Sequence, residues 1–414
     1  MMRQQAFPRH IDAQASLNRQ GESAAAPLPH AMPVSEMRVG INGISMLSPL
    51  TGIGQYTFNL VRAMQSLQLS PWMFYGKDWR QEVRTQPLPG IGVVKDLIKR
   101  VVPRPYVVSR YLMQRVFTRG AQQHRLQLYH EPNFMAYRFN GPAVVTVHDL
   151  SWVHYRETQP AARVRELERM MPQTMRTAAH VVVNSEFIRQ EVIAYYGIEQ
   201  ERISTVLLGV ADEFQPRNAA QCAQLLQRLD LQYGSYILAV ATLEPRKNLD
   251  TLIAAYAQIP DTLRSRYPLV IAGMRGWGES LVSANLKQMI ARGEVRLTGY
   301  VPQEDLPLLY AGARVFAYPS LYEGFGLPPL EAMACAVPVI ASRRASLPEV
   351  VGDAGILVEA MDDADIAQQM RNVIEDDALH GRLAQQGQAR AQTFSWNKCA
   401  AETLGLYQRV LQEI

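Results

Sequence analysis

Cysteine is scarce in this chain: Cys222, Cys335 and Cys399 stand far apart in 414 residues and form no CxxC pair. Neither a disulfide framework nor a cysteine-rich zinc site follows, and a reducing compartment suits such a chain. Long apolar runs are missing as well. No stretch of 18 apolar residues occurs, which excludes a bilayer-spanning helix. The opening MMRQQAFPRH carries charge with no apolar core behind it, unlike a secretory leader. Net charge is also small, +4 from 42 Lys and Arg against 38 Asp and Glu, too mild for wholesale nucleic-acid binding. The expectation is a soluble cytoplasmic protein with no nucleic-acid partner.

Several chemical signatures are absent too. DxD occurs only as Asp363-Ala364-Asp365 at a predicted helix start, where capping explains it. No serine sits in a G-x-S-x-G elbow. No histidine or carboxylate cluster has metal-ligand spacing, so no metal is expected. Thr51-Gly52-Ile53-Gly54-Gln55 lacks the third glycine of a dinucleotide fingerprint and the lysine of a P-loop.

What is present is ample apolar material, 48% of residues, enough for large cores and for two to three domains. Residues 1 to about 36 read as a Pro- and Ala-rich tail, either disordered or a short membrane contact. From Met37 onward, β-branched runs alternate with helical periodicity, the grammar of parallel sheets covered on both faces. PAVVTVHD and HVVVNS read as strands with polar ends, and EFIRQEVIAYY as a helix stopped by Gly197. YILAVAT, PLVIAG, VFAYPS and VPVIAS repeat the pattern in the second half. Two α/β domains are predicted, 37–212 and 213–390, with a C-terminal helix over 391–414 packing back toward the first. Ligands of such sheets bind beyond the carboxyl ends of the strands, so the site is expected in the cleft between domains.

Four motifs fall at those strand ends. Gly52 and Gly54 open the first helix, where the pattern fits a phosphate or sugar contact and a plain tight turn equally well. His148-Asp149 follows a buried strand; the alternatives are a cleft group and a local capping network. His130, heading His130-Glu131-Pro132-Asn133, is a further candidate for lining the first domain's pocket. Arg246-Lys247 within EPRKN forms a compact anion clamp, forked donors beside a point charge, against the alternative of a solvated turn. The strongest feature is Glu323-Gly324-Phe325-Gly326-Leu327 running through Pro328-Pro329 to Glu331. Two carboxylates suited to sugar hydroxyls flank a helix start whose N–H groups favour phosphate.

EGFGLPPLE, EPRKN, the HD pair and the TGIG loop together resemble the family 4 glycosyltransferases of GT-B fold, over residues 37 to 414. That resemblance implies two Rossmann-like domains facing across a cleft and retaining, metal-independent transfer from a nucleotide sugar. It implies roles as well. Gly52 and Gly54 lie near donor phosphate and sugar. His148 sits beside the sugar, hydrogen-bonding a hydroxyl, with Asp149 nearby on the acceptor side together with His130, Glu131 and Asn133. Arg246 and Lys247 bind the diphosphate, Glu323 contacts sugar hydroxyls and Glu331 the ribose. Gly324, Phe325, Gly326 and Leu327 border the donor.

HDLSWVHYRETQP and the segment RVRELERMMPQTMRTAAHVVVNSEFIRQEV are similar to bacterial mannosyl- or D-rhamnosyltransferases of O-antigen and exopolysaccharide assembly. The implied donor is GDP-mannose, with GDP-D-rhamnose as the nearest enzyme alternative and a silent sugar-nucleotide-binding module as the alternative of another class. The implied acceptor is a lipid-linked glycan at the inner face of the cytoplasmic membrane. Residues 95 to 125, with eight Lys or Arg and one acidic residue interleaved with apolar side chains, are read as a contact with anionic lipid; the alternative is a solvated helical face.

Overall fold

The computed structural model describes residues 32–48, 50, 52–85, 105–274 and 284–413, with only the backbone for 105–109 and 284–285. Residues 1–31 of the expected tail and 95–104 of the basic stretch lie outside these. Residues 32–36 are described and are held: Val34–Glu36 is a 3-10 turn and the Met32 carbonyl accepts from Gln408 Nε2 at 2.9 Å.

The first sheet comprises β1 (Val39–Asn42), β2 (Trp72–Phe74), β3 (Trp79–Arg80), β4 (Leu128–Glu131), β5 (Ala143–Val147), β6 (His180–Val183) and β7 (Ile203–Thr205). Their spatial order is β3-β2-β1-β4-β5-β6-β7, parallel throughout except for the antiparallel pair β2–β3. Strands β5 and β6 read AVVTV and HVVV, and nearly every residue is buried, as strands covered on both faces require. The helix Glu186–Tyr196 starts on Ser185, whose hydroxyl accepts from Ile188 N, and stops at Gly197 in the left-handed region (φ 65).

The second sheet comprises β8 (Ile237–Val240), β9 (Leu269–Ala272), β10 (Val295–Gly299), β11 (Val315–Tyr318), β12 (Val339–Ser342) and β13 (Ile356–Val358), in the order β10-β9-β8-β11-β12-β13. In each sheet the chain order reverses beside the first strand, between β1 and β4 and between β8 and β11. A crevice opens at such a reversal, beyond the strand carboxyl ends.

Two crossings join the domains. One runs through residues 206–212; the other follows the helix Asp377–Ala391, and Val210 bridges Ser395 where they meet. A Cβ on Gly209 would lie 2.1 Å from the Trp396 backbone nitrogen, so glycine alone permits this approach. The last helix, Trp396–Gln412, then lies on the first domain's helix Gly52–Ser66. Asp363 and Asp365 fall in the first turn of the helix Asp363–Glu375, which Asp362 caps through Asp365 N.

Candidate active site

A cleft of about 440 Å³ separates the domains, lined from the first by Gly52, Tyr56, His148, Asp149 and Asn184 and from the second by Arg246, Lys247, Glu323 through Leu327, and Glu331. Each group arrives by a strand end. Gly52 opens the helix after β1, His148 follows β5, and Arg246 and Lys247 form a short 3-10 turn after β8. That turn ends on Asn248 in the left-handed region (φ 58), whose amide donates to Pro319 O at 2.9 Å and Ala360 O at 2.6 Å, tying it to the end of β11.

Glu323 is the hub of the second domain's edge. It accepts from Lys247 Nζ at 2.6 Å, Ser320 Oγ at 2.6 Å, Tyr318 Oη at 2.9 Å and Arg246 Nη1 at 3.4 Å. Burial alone would raise its pKa, but Lys247 and Arg246 pull it down to about 2. Burial and the Arg246 charge lower the Lys247 pKa despite Glu323. Arg246 is raised: burial works against its charge, and Glu323, Asp149 and Glu244 outweigh it. Two basic side chains thus face the cleft, with Glu323 and Glu244 as their carboxylate partners.

Glu331, one turn into the helix Leu327–Ala334, meets the opposite fate. Burial pushes its pKa up to about 7, against the lowering effect of the neighbouring Tyr310 hydroxyl. The helix start provides less to an anion than its sequence position suggests. Pro328 and Pro329 carry no N–H, which leaves the amides of Gly326 and Leu327 as the donors near the cleft.

The domains touch through the same loop. A Cβ on Gly324 would lie 1.9 Å from the His148 carbonyl oxygen, so the loop presses directly on the end of β5. Ser185 Oγ donates to Gly324 O at 2.9 Å, and Tyr322 Oη accepts from Leu150 N at 2.9 Å while donating to Glu191 at 2.5 Å. Glu349 accepts from the amides of Glu186 and Phe187 at 2.8 and 2.7 Å, capping a first-domain helix from the second domain.

Three expected acceptor-side residues do not line this cleft. His130 is fully buried, with Nδ1 2.5 Å from Tyr407 Oη and Nε2 2.7 Å from Thr146 Oγ1, and burial holds its pKa near 3, so it pins the C-terminal helix instead. Glu131 is also fully buried, accepting from Asn42 Nδ2, Tyr129 Oη and Asn133 N; burial raises its pKa to about 7. It joins the ends of β1 and β4, and the Asn133 amide belongs to that knot. Gly54 is buried against Ser45 O and does not reach the cleft, whereas Gly52 does. Asp149 lines the cleft, and its Oδ1 accepts from Ser151 N at 3.0 Å at the start of the short helix Ser151–His154. His148 lines the cleft, with Nε2 2.8 Å from Pro132 O and Nδ1 2.7 Å from Asn184 Nδ2. Among the described residues, no group of three or more His, Cys, Asp or Glu is arranged to hold a metal ion.

Sequence reasoning missed Asn184, Tyr322 and Glu349. Asn184 carried a usable signal, since it follows the buried run VVV just as His148 follows VVTV.

Two facing Rossmann-like domains with a charged cleft at their strand ends define the GT-B class of sugar-transferring enzymes. The chain belongs to glycosyltransferase family 4, whose model, described as "Glycosyltransferase Family 4", matches residues 50–214, while "Glycosyl transferases group 1" matches 232–390. It is 36% identical over 373 residues to the O-antigen chain mannosyltransferase B of Escherichia coli, covering 87% of this chain and 96% of that one. Among solved structures, sucrose-phosphate synthase of Thermosynechococcus elongatus shares the fold with a TM-score of 0.70 at 21% identity, over 91% of this chain and 100% of that one. The Anabaena protein HepE, solved with UDP-glucose, does so with a TM-score of 0.65 at 20% identity, over 91% and 100%. The chain is therefore a glycosyltransferase related to bacterial O-antigen mannosyltransferases.

Proposed function

We propose that this enzyme transfers mannose from GDP-mannose, with retention and without a metal, to a lipid-linked glycan. The observation that carries the reading is the Arg246–Lys247–Glu323 cluster, two buried cations poised where a diphosphate can replace carboxylate partners. In this scheme the bond from the anomeric carbon to the diphosphate breaks with its electron pair going to phosphate. The acceptor oxygen bonds to the same carbon on the same face, and its proton passes to the departing phosphate. Arg246 and Lys247 offset the charge that develops there, doing what a metal ion does in other transferases. Glu331 accepts from the ribose hydroxyls. The mannose assignment is supported by the relationship to the Escherichia coli mannosyltransferase. GDP-D-rhamnose is the nearest other donor; a silent binding module would have no use for the complete cation cluster.

The lipid-linked acceptor brings the first domain to an anionic surface of the cytoplasmic membrane, where the enzyme binds peripherally. The helix Pro105–Gln123 supports this, exposing Tyr111 (57%), Leu112 (56%) and Val116 (36%) beside Arg115, whose guanidinium lies 4.9 Å from the Tyr111 ring. An apolar and basic face of this kind suits headgroups and upper acyl chains. Arg110 takes no part. It donates to the carbonyls of Met135 and Ala136 and stacks on Tyr137 at 4.7 Å. No helix among the described residues is long and apolar enough to cross a membrane.

The deciding experiment compares GDP-mannose, GDP-D-rhamnose and UDP-glucose for binding and for turnover with a lipid-linked mannosyl acceptor, before and after exhaustive chelation. Preferred turnover of GDP-mannose that survives chelation is the expected result. Preference for another donor, or activity lost to EDTA and restored by Mn²⁺, overturns the corresponding part.

A further inference from the structure

Tyr322 belongs to the second domain by sequence, following β11, and to the first domain by packing. Its ring is 4% exposed and lies in one buried cluster with Leu150, Trp152, Leu167, Ile188 and Val192. Tyr155 and Phe187 flank it, their ring centroids 5.6 and 6.1 Å away. A close-packed side chain of this kind is fixed relative to the core that surrounds it.

The hydroxyl strengthens that anchor. It accepts from Leu150 N at 2.9 Å and donates to Glu191 Oε2 at 2.5 Å, while Glu191 Oε1 lies 2.9 Å from His154 Nε2. Burial, with the Glu191 and Asp149 charges, raises the phenol pKa well above its ordinary value, so the group remains a donor. Leu150 directly follows His148 and Asp149, so the point of attachment is the first domain's wall of the cleft.

The main chain of the same segment holds Arg246. Tyr322 O accepts from Arg246 Nη1 at 3.0 Å, Leu321 N donates to Arg246 O at 2.8 Å, and Ser320 Oγ donates to Arg246 O at 3.1 Å. The guanidinium also donates to Glu244 at 2.9 Å and Glu323 at 3.4 Å. A phosphate competes with those carboxylates. With five N–H donors the arginine can meet it and still keep the carbonyl. Ring, hydroxyl and carbonyl thus make one short link, within a single residue, from the loop after His148 to the cation cluster.

We propose that Tyr322 is a positioning residue for sugar transfer: its ring, plugged into the first domain, fixes where Arg246 stands relative to the opposite wall of the cleft. On this reading the nucleotide is held by the second domain and binds much as before when the link is cut. The transfer step needs both walls in register and suffers. The inference rests on Arg246 as a phosphate contact, but not on which nucleotide sugar enters the cleft.

Tyr322→Phe keeps the ring and removes the hydroxyl. Its first readout needs no substrate: amide hydrogen exchange in the peptide carrying Leu150 should accelerate roughly 10-fold, while β6 keeps its parental rate and reports an intact fold. Kinetics are read with whichever nucleotide sugar the parent turns over best. Turnover should fall roughly 10- to 100-fold, with affinity for the matching nucleoside diphosphate changed less than about 3-fold. A double-mutant cycle with Arg246→Lys separates positioning from plain destabilisation. In that background Tyr322→Phe should cost less than about 3-fold, because residues acting through one another are not additive. Should Tyr322→Phe not fold, Glu191→Ala, which removes the hydroxyl's acceptor, is read in its place with the same expectations. Equal losses in the two backgrounds overturn the proposal. So do unchanged exchange at Leu150 and turnover matching the parent. If Arg246→Lys turns over like the parent, the phosphate role of Arg246 falls and the proposal with it. A parent that prefers a donor other than GDP-mannose overturns the proposed donor and leaves the exchange result and the cycle standing.

Discussion

Glu323 and Glu331 end a single nine-residue segment inside the cleft, and their surroundings drive them apart. Glu323, met by Lys247, Arg246, Ser320 and Tyr318, is held at a pKa of about 2. Glu331, with the Tyr310 hydroxyl and the Glu213 carboxylate as its neighbours and no cation beside it, is raised by burial to about 7. The residue type is alike, and Glu323 is if anything the more buried; the difference is whether cations were built beside the carboxylate. One end of the segment is assembled in advance around charge. The other leaves a carboxylate that gains most when donors arrive with a ligand.

The largest effect is expected from Gly324→Ala, which breaks the contact both ends depend on. Its Cβ would lie 1.9 Å from the His148 carbonyl oxygen, and backbone on both sides leaves it nowhere to go. Turnover should fall by about 100-fold or more, since a misplacement near 1 Å is enough. A variant turning over within a few-fold of the parent would show that the domains need not meet there.

Glu323→Gln comes next. It leaves Lys247 buried without its counter-charge, a change of about 3 to 5 kcal/mol by analogy with broken buried pairs, readable as a lowered Tm. The sign of the pH dependence also follows. A carboxylate whose folded pKa lies below its ordinary 4.5 contributes stability that is present above that value and lost as pH falls toward 2. The Gln variant should lack this acid-side loss; an unchanged acid limb would place the titration elsewhere.

Glu331→Gln sharpens the comparison from the other end, because its slope has the opposite sign. A carboxylate raised from 4.5 to about 7 lets stability decline as pH rises through that window, by up to ~3 kcal/mol. The Gln variant should therefore be at least as stable as the parent at pH 8 while binding GDP-mannose roughly 10- to 150-fold more weakly, about 1.5 to 3 kcal/mol for a lost charged hydrogen bond. Affinity of the parent should increase from pH 6 to 8 as Glu331 ionises, and that of the variant should stay flat. Calorimetry reads both, and equal affinities in parent and variant would take Glu331 out of the nucleotide site.

The smallest effect belongs to the surface. Arg115→Glu with Arg119→Glu should weaken co-sedimentation with anionic vesicles by roughly 1 kcal/mol per side chain, more at low salt than at high salt, and spare turnover on a short soluble acceptor. Equal sedimentation would leave the helix Pro105–Gln123 an ordinary solvated face. Arg110 is kept out of this test because its contacts with Met135, Ala136 and Tyr137 make it part of the fold.

The main strands were legible because each parallel strand buried on both faces must be β-branched and apolar along its length. Strands β2, β3 and β7 escaped notice: they are two or three residues long, and such fragments owe their extended form to the neighbour they pair with. Asn184 was quoted within HVVVNS as a polar strand end and went no further. Tyr322 and Glu349 act on Leu150, Glu191 and the helix Glu186–Tyr196, more than 130 residues away, and no local pattern announces such contacts.

By itself the sequence determined that HD, EPRKN and the Glu323–Glu331 segment stand at strand carboxyl ends, since periodicity and turn residues are local properties of the chain. It could not decide between His130 and His148, both polar residues at the ends of adjacent strands. Tertiary packing decided that. Tyr407, 277 residues along the chain, lies over His130 and closes it in, while the space before His148 stays open between the domains. Protonation of the two glutamates was decided the same way, because a pKa reflects the charges and solvent that long-range packing gathers around a group, and those are set by the fold as a whole.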